Sequence, residues 1–129
     1  DDQRFGELDN DFPDDDLRSQ IRVRLSSALK YSSSFSYLYD FGDNWEHKIK
    51  VEKTYPPDPD LLHPICLDGA NACPPEDVGG YDGYMDFVHA MTDPLHSQHA
   101  DMQLWYGGKF EPTACNLHQI NMRLQEIKL

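Results

Sequence analysis

FSYLYDFGDNWEHKIKVEK, residues 35–53, is the stretch whose reading decides the fold. Phe35, Tyr37 and Tyr39 alternate with Ser36, Leu38 and Asp40. After a break, Trp45, His47, Ile49 and Val51 alternate with Glu46, Lys48, Lys50 and Glu52. A period of two over both arms, with aromatic and β-branched residues in one phase, reads as a β-hairpin with one buried face. Phe41-Gly42-Asp43-Asn44 supplies the residues that tolerate positive φ, so the chain reverses there. The pattern predicts strands over 35–40 and 45–53, with Tyr37, Tyr39, Trp45 and Ile49 largely buried. It gathers Asp40, Asp43 and His47 at one end of the strand pair. His47 shares a phase with Trp45, so its ring is expected on the aromatic side. There it is either a core histidine bonded to Asp40 or Asp43, the plainer account, or a general base or ligand.

Outward from the hairpin, the 129 residues are expected to form one domain, 1–129, able to bury roughly two thirds of its unfolded surface. Residues 1–19 read as an acidic, solvated loop with no feature of a targeting segment. The run Asp14-Asp15-Asp16 lacks the alternating ligands and central Gly of a cation loop. Ile21, Val23 and Leu25 alternate with Arg22 and Arg24 and predict a short strand, followed by a helical turn over 26–30. Asp40-Phe41-Gly42 matches a kinase triplet, but no Gly-rich phosphate loop or catalytic-loop motif accompanies it.

Tyr55 to Gly80 holds six of the nine prolines and reads as a long surface loop, stiffened by fixed φ angles. Beyond it, Tyr84, Phe87, Val88 and Met91 fall at i, i+3, i+4 and i+7. They predict a helix with Asp82 as N-cap and Pro94 closing its far end. A second helix is expected over 95–106, where His96 and His99 read as a solvated face. A last helix is expected from Asn116, burying Leu117, Ile120, Leu124 and Ile127. The fold class is α+β: an antiparallel sheet built around the central hairpin, packed by helices, with a long Pro/Gly-rich loop.

The net charge is −12, of which residues 1–16 carry −7 through eight acids and one base. Such a surface repels phosphate backbones, so nucleic-acid binding is not expected. No apolar run approaches the roughly 20 residues of a membrane span. Three cysteines, an odd number without disulfide-scaffold density, point to a reducing cytoplasm. Cys66, Cys73 and His47 can be assembled with loop acids into a zinc site on paper, yet no Cys-x-x-Cys knuckle supports it. Cysteines packed as small hydrophobes are the plainer account. Glu76 and Asp77 sit between two prolines and two glycines, held to cap the next helix or receive a ligand. Their side chains need donors, and the hairpin end offers amides and ring N–H groups. The two regions are therefore expected to meet, bringing Asp40, Asp43, Trp45, His47, Glu76 and Asp77 into one binding site.

YLYDFGDNWEHKIKVEK, PICLDGANACPPEDVGGYDGYMDF and FEPTACNLHQINMRL together resemble the plasmid pRiA4b ORF-3-like family over roughly residues 20–129. The resemblance implies an α+β domain from bacterial, archaeal or mobile-element-associated proteins without an established activity. Some members carry a label relating them to a transposon resolvase. The family's preceding strand and helix, with its Trp-Arg-Arg segment, has no counterpart here. Val78 stands where many members have a cysteine, and Ala114-Cys115 where a Phe-Asp pair is common. Three functions then compete. A non-enzymatic binding module for a protein or small ligand is favoured. A metal-dependent or acid–base enzyme using Asp40, Asp43, His47, Glu76 and Asp77 comes second. A DNA recombination accessory is last, because Ser32 to Ser34 lack the arginines a serine resolvase needs.

Overall fold

The computed structural model describes residues 3–6, 16–19, 21, 23–30 and 32–128. In chain order the elements are β1 (Arg4–Gly6), β2 (Leu17–Ser19), α1 (Leu25–Ala28), β3 (Ser34–Tyr39), β4 (Trp45–Lys50), α2 (Gly80–Thr92), α3 (His99–Tyr106) and α4 (Leu117–Leu124). The class is α+β. Strands β3 and β4 pair as the expected hairpin, and β1 pairs with β2 in parallel, Arg4 opposite Leu17. The acidic start is thus not loop alone, although Asp14 and Asp15 lie outside the described residues. Among the described residues of 21–25, none lies in the expected strand. Leu25 opens α1 instead, because the Arg24 carbonyl accepts from the Ser27 and Ala28 amides and the Leu25 carbonyl from the Leu29 amide. Three alternating residues carry too little pattern to outweigh those bonds.

Backbone contacts group the chain into two compact units, residues 1–37 with 48–54 and residues 38–47 with 55–129. The second holds the apolar core. Phe87, Ala90 and Met91 lie at i, i+3 and i+4 on α2 and are buried with Phe110. Phe87 stacks on Phe110 with ring centres 4.9 Å apart, and on Trp105 and Tyr106 of α3 at 5.7 and 5.6 Å. These edge-on and tilted pairings are the arrangements aromatic quadrupoles favour. Helix α2 stops at Thr92, two residues before Pro94, which cannot donate to a further turn. Helix α3 ends on Gly107 at φ +85°, where the Gly107 and Gly108 amides both reach the Gln103 carbonyl.

Helix α4 starts as expected, with the Asn116 side chain accepting from the Gln119 amide. Its Asn121 side chain accepts from the Cys66 amide at 2.8 Å and donates to the Cys66 carbonyl at 2.9 Å. One carboxamide thereby mimics a strand neighbour and pins the proline-rich loop to the helix. No regular element interrupts that loop between residues 51 and 79. Ile127, expected to be buried, is 51% exposed and lies past the last turn.

Candidate functional site

The hairpin end is built from side chains that bind their own backbone. Asp40 sits at φ +56° and Asn44 at φ +55°, left-handed conformations that Asp and Asn tolerate better than other side chains. The Asp40 carboxylate Oδ1 accepts from the Gly42 amide at 2.8 Å and the Asp43 amide at 3.2 Å. The Asn44 amide closes the turn onto the Asp40 carbonyl at 2.6 Å. Phe41, at the apex, is 84% exposed.

This turn meets the start of α2. Asp43 Oδ2 accepts from the Gly79 amide at 3.2 Å. Gly79, the N-cap, has no side chain to do that work, so an acid 36 residues upstream does it; a carboxylate is favoured there by the helix dipole. Gly80 is held at φ +67°, and a Cβ there would come within 2.6 Å of the Asp43 carbonyl oxygen. Only glycine permits that approach. Glu76 accepts from the Tyr39 hydroxyl through both carboxylate oxygens, at 3.3 and 3.2 Å. Asp77 occupies φ +56°. From Trp45 an aromatic path leads inward to Tyr84 at 6.3 Å, then to Phe110 at 6.2 Å, and so to Phe87.

The expected meeting of hairpin and loop is therefore present, with part of its polarity reversed. Asp43 of the hairpin is the acceptor and the Gly79 amide the donor, while the Gly42 and Asp43 amides go to Asp40. A turn this tight satisfies its own donors before a neighbour can. Tyr39, Phe41 and Gly79 were not among the candidates. The Gly79-Gly80 pair is the signal for a close approach, and an aromatic at a turn apex is a signal for Phe41.

The burial expected of the hairpin is not found. Tyr37, Tyr39 and Ile49 are 52%, 42% and 37% exposed, and Trp45 is half-buried. Alternation shows that two faces differ, not that either is covered. His47 does not enter a core. It is exposed, its Nδ1 donates to the Trp45 carbonyl at 3.2 Å, and its ring stands edge-on to Tyr39 at 6.4 Å. The carbonyl can only accept, which places the proton on Nδ1. N-capping by Asp82 is replaced by Gly79, with Asp82 in the first turn where its charge still suits the dipole. Helix α3 begins at His99, later than the expected 95.

Cys66, Cys73 and Cys115 are free thiols, and Cys66 donates to the Asp68 carbonyl. Among the described residues no three His, Cys, Asp or Glu side chains converge to hold a metal ion, and Cys66, Cys73 and His47 form no such group. Residues 38–47 and 76–93 contain eight acids and no Lys or Arg, so the field at the site is negative. Asp40, Asp43 and Glu76 already accept hydrogen bonds from the protein's own groups. Proton transfer by any of them would cost part of the scaffold.

Comparison with known proteins agrees with this architecture. The family described as plasmid pRiA4b ORF-3-like protein matches residues 1–119, so the acidic start falls within the match. The uncharacterized protein y4hQ of Sinorhizobium fredii is 40% identical over 126 residues, which are 95% of this chain and 64% of y4hQ. The crystal structure of a protein of unknown function, MM3350 from Methanosarcina mazei Go1, superposes with a TM-score of 0.72 at 33% identity. It covers 89% of this chain and 62% of its own. The chain thus spans less than two thirds of these relatives' lengths. Among the described residues, no helix is long and apolar enough to cross a membrane.

Proposed function

The chain belongs to the plasmid pRiA4b ORF-3-like family, and from that premise we propose that it is a non-enzymatic binding module of a mobile-element-associated cytoplasmic protein. The recognition surface is the hairpin end with the adjoining loop, and the partner is a protein or small molecule, not nucleic acid. The observation that carries the reading is Phe41, 84% exposed on a turn whose backbone is tied at both ends. A large aromatic held in water on a rigid support loses little entropy when an apolar pocket closes over it, as binding anchors require. Left-handed non-glycine residues at Asp40, Asn44 and Asp77 supply the rigidity, and such conformations concentrate at ligand clamps. Asp40, Asp43 and Glu76 serve this account as scaffold, while Trp45 and His47 flank the surface.

Capture of ligands from a cell extract by the immobilised protein tests the reading. Wild type should retain a defined species, and Phe41→Ala should lose it with an unchanged melting temperature. Equal capture by the two proteins sinks the proposal. Substrate turnover abolished by Asp43→Asn or His47→Ala would favour the acid–base enzyme instead.

A further inference from the structure

The acids around the hairpin end differ in what they already do. Asp40, Asp43 and Glu76 accept hydrogen bonds from amides and a tyrosine hydroxyl, and Asp93 accepts from the Leu95 amide. Asp77, Asp82 and Asp86 are exposed and, among the described residues, have no hydrogen-bond or ion-pair partner. Asp82 and Asp86 lie about 6 Å apart along the axis of α2, a like-charge spacing that works against the helix. No Lys or Arg within residues 76–93 offsets it. Two large aromatic side chains leave the same junction. Phe41 stands two residues before Asp43, whose backbone meets Gly80, and Tyr81 directly follows Gly80. Both are open to solvent, 84% and 68% exposed.

We propose that the hairpin apex and the exposed side of the first two turns of α2 dock a basic segment of a protein partner, with arginine as the anchoring residue. This rests on the reading of the hairpin end as a binding surface and gives the partner its chemistry. Exposed aromatic rings accept a cation over their faces, and a guanidinium, planar and weakly hydrated, stacks there better than an ammonium. The same fork donates two parallel hydrogen bonds to a carboxylate, and Asp77, Asp82 and Asp86 are free to accept them. A cation between Asp82 and Asp86 also relieves their repulsion. Charge complementarity selects the occupant. Residues 38–47 and 76–93 hold eight acids and no Lys or Arg, within a unit of charge −11 from fourteen acids and three bases. Carboxylates spread from the loop through two turns of helix match several cations along one chain better than a single small cation. A second copy of this acidic face is repelled, and so is a phosphate backbone.

Fluorescence anisotropy with labelled hexa-arginine, hexa-lysine and hexa-glutamine peptides at about 0.15 M salt, where distant charges are screened, tests the assignment. Hexa-arginine should bind saturably, hexa-lysine more weakly and hexa-glutamine not at all. Phe41→Ala and Tyr81→Ala should each weaken hexa-arginine about tenfold, as loss of a cation–aromatic contact does. Asp86→Asn should weaken it about threefold without lowering the melting temperature, because the variant also loses a repulsion within the helix. Glu126→Gln removes the same charge at an exposed position outside this face and should leave affinity unchanged. No saturable binding at about 1 mM peptide overturns the proposal, as does equal affinity in wild type and both aromatic variants. Equal weakening by Glu126→Gln and Asp86→Asn also overturns it, in favour of general attraction to the net charge. Capture from a cell extract separates this failure from a wider one. Phe41-dependent capture without peptide binding overturns the basic partner and leaves the binding surface, whereas loss of both removes the surface as well.

Discussion

Residues 38–47 with 55–129 carry every buried side chain of the described structure and a charge of −11, from fourteen acids and three bases. The described residues of 1–37 with 48–54 include none that is buried, and this unit holds eight of the eleven Lys and Arg beside nine acids. In the core-bearing unit aromatic rings pack edge-on or tilted, and the surface acids nearest the hairpin end are spent on amides and a tyrosine hydroxyl. In the other unit, short elements are held by backbone bonds, and lysines and hydroxyls border an open pocket. The contrast separates two kinds of work. Burial fixes the fold where side chains are large and few charges interfere. Charge and hydroxyl chemistry gather where little burial is at stake, since exchanging surface groups changes stability little.

The strongest way to break this contrast is Phe87→Ala. It should cost about 3–5 kcal/mol in urea unfolding, as aromatic deletions from a core do, against less than about 1 kcal/mol for Lys30→Ala. Equal losses would show that stability is shared between the units. Gly80→Ala comes next. Its Cβ would press on the Asp43 carbonyl at a φ of +67°, so a loss of about 2–3 kcal/mol is expected from the strain and the displaced turn. A neutral result would mean that the hairpin end can retreat freely. Trp45→Ala should cost about 2 kcal/mol, less than a fully buried ring, because Trp45 is half-buried and its main aromatic partner is Tyr84. A melting temperature equal to wild type would make it a ligand platform alone.

The smallest effect belongs to Glu111, fully exposed, whose carboxyl is held below its ordinary range by the Thr113 hydroxyl and amide. A lowered folded-state pKa means that the unfolded chain binds the proton more readily. Its contribution is therefore present above the ordinary carboxylate range and lost as pH falls through the lowered value. The melting temperatures of wild type and Glu111→Gln should differ slightly at neutral pH and converge in acid. A gap that widens in acid would reverse the assignment.

Much of this was legible in the sequence where pattern and chemistry agree. The i, i+3, i+4, i+7 spacing from Tyr84 to Met91 located α2 and its buried face, and Asn116 located the start of α4. The hairpin was legible in its strands and turn but not in its burial. A period of two fixes which residues share a face, whereas covering that face depends on distant elements. Ile21-Val23-Leu25 misled because three residues fit either a strand end or a helix entry. The link from Asp43 to Gly79 was legible only as a meeting of two regions. Which partner donates is decided by the turn, where Asp40 has already taken the nearest amides.

That link also constrains the order of events when the chain folds. Helix α2 brings no side-chain cap of its own, and its first amide waits for an acid that arrives from the hairpin end. Closing that 36-residue span loses chain entropy before the bond forms, so a preformed turn that presents Asp43 ready for contact shortens the search. The hairpin end would then belong to the folding nucleus, and the early turns of α2 would follow it. Asp43→Ala should act mainly by slowing refolding and leave the unfolding rate nearly unchanged.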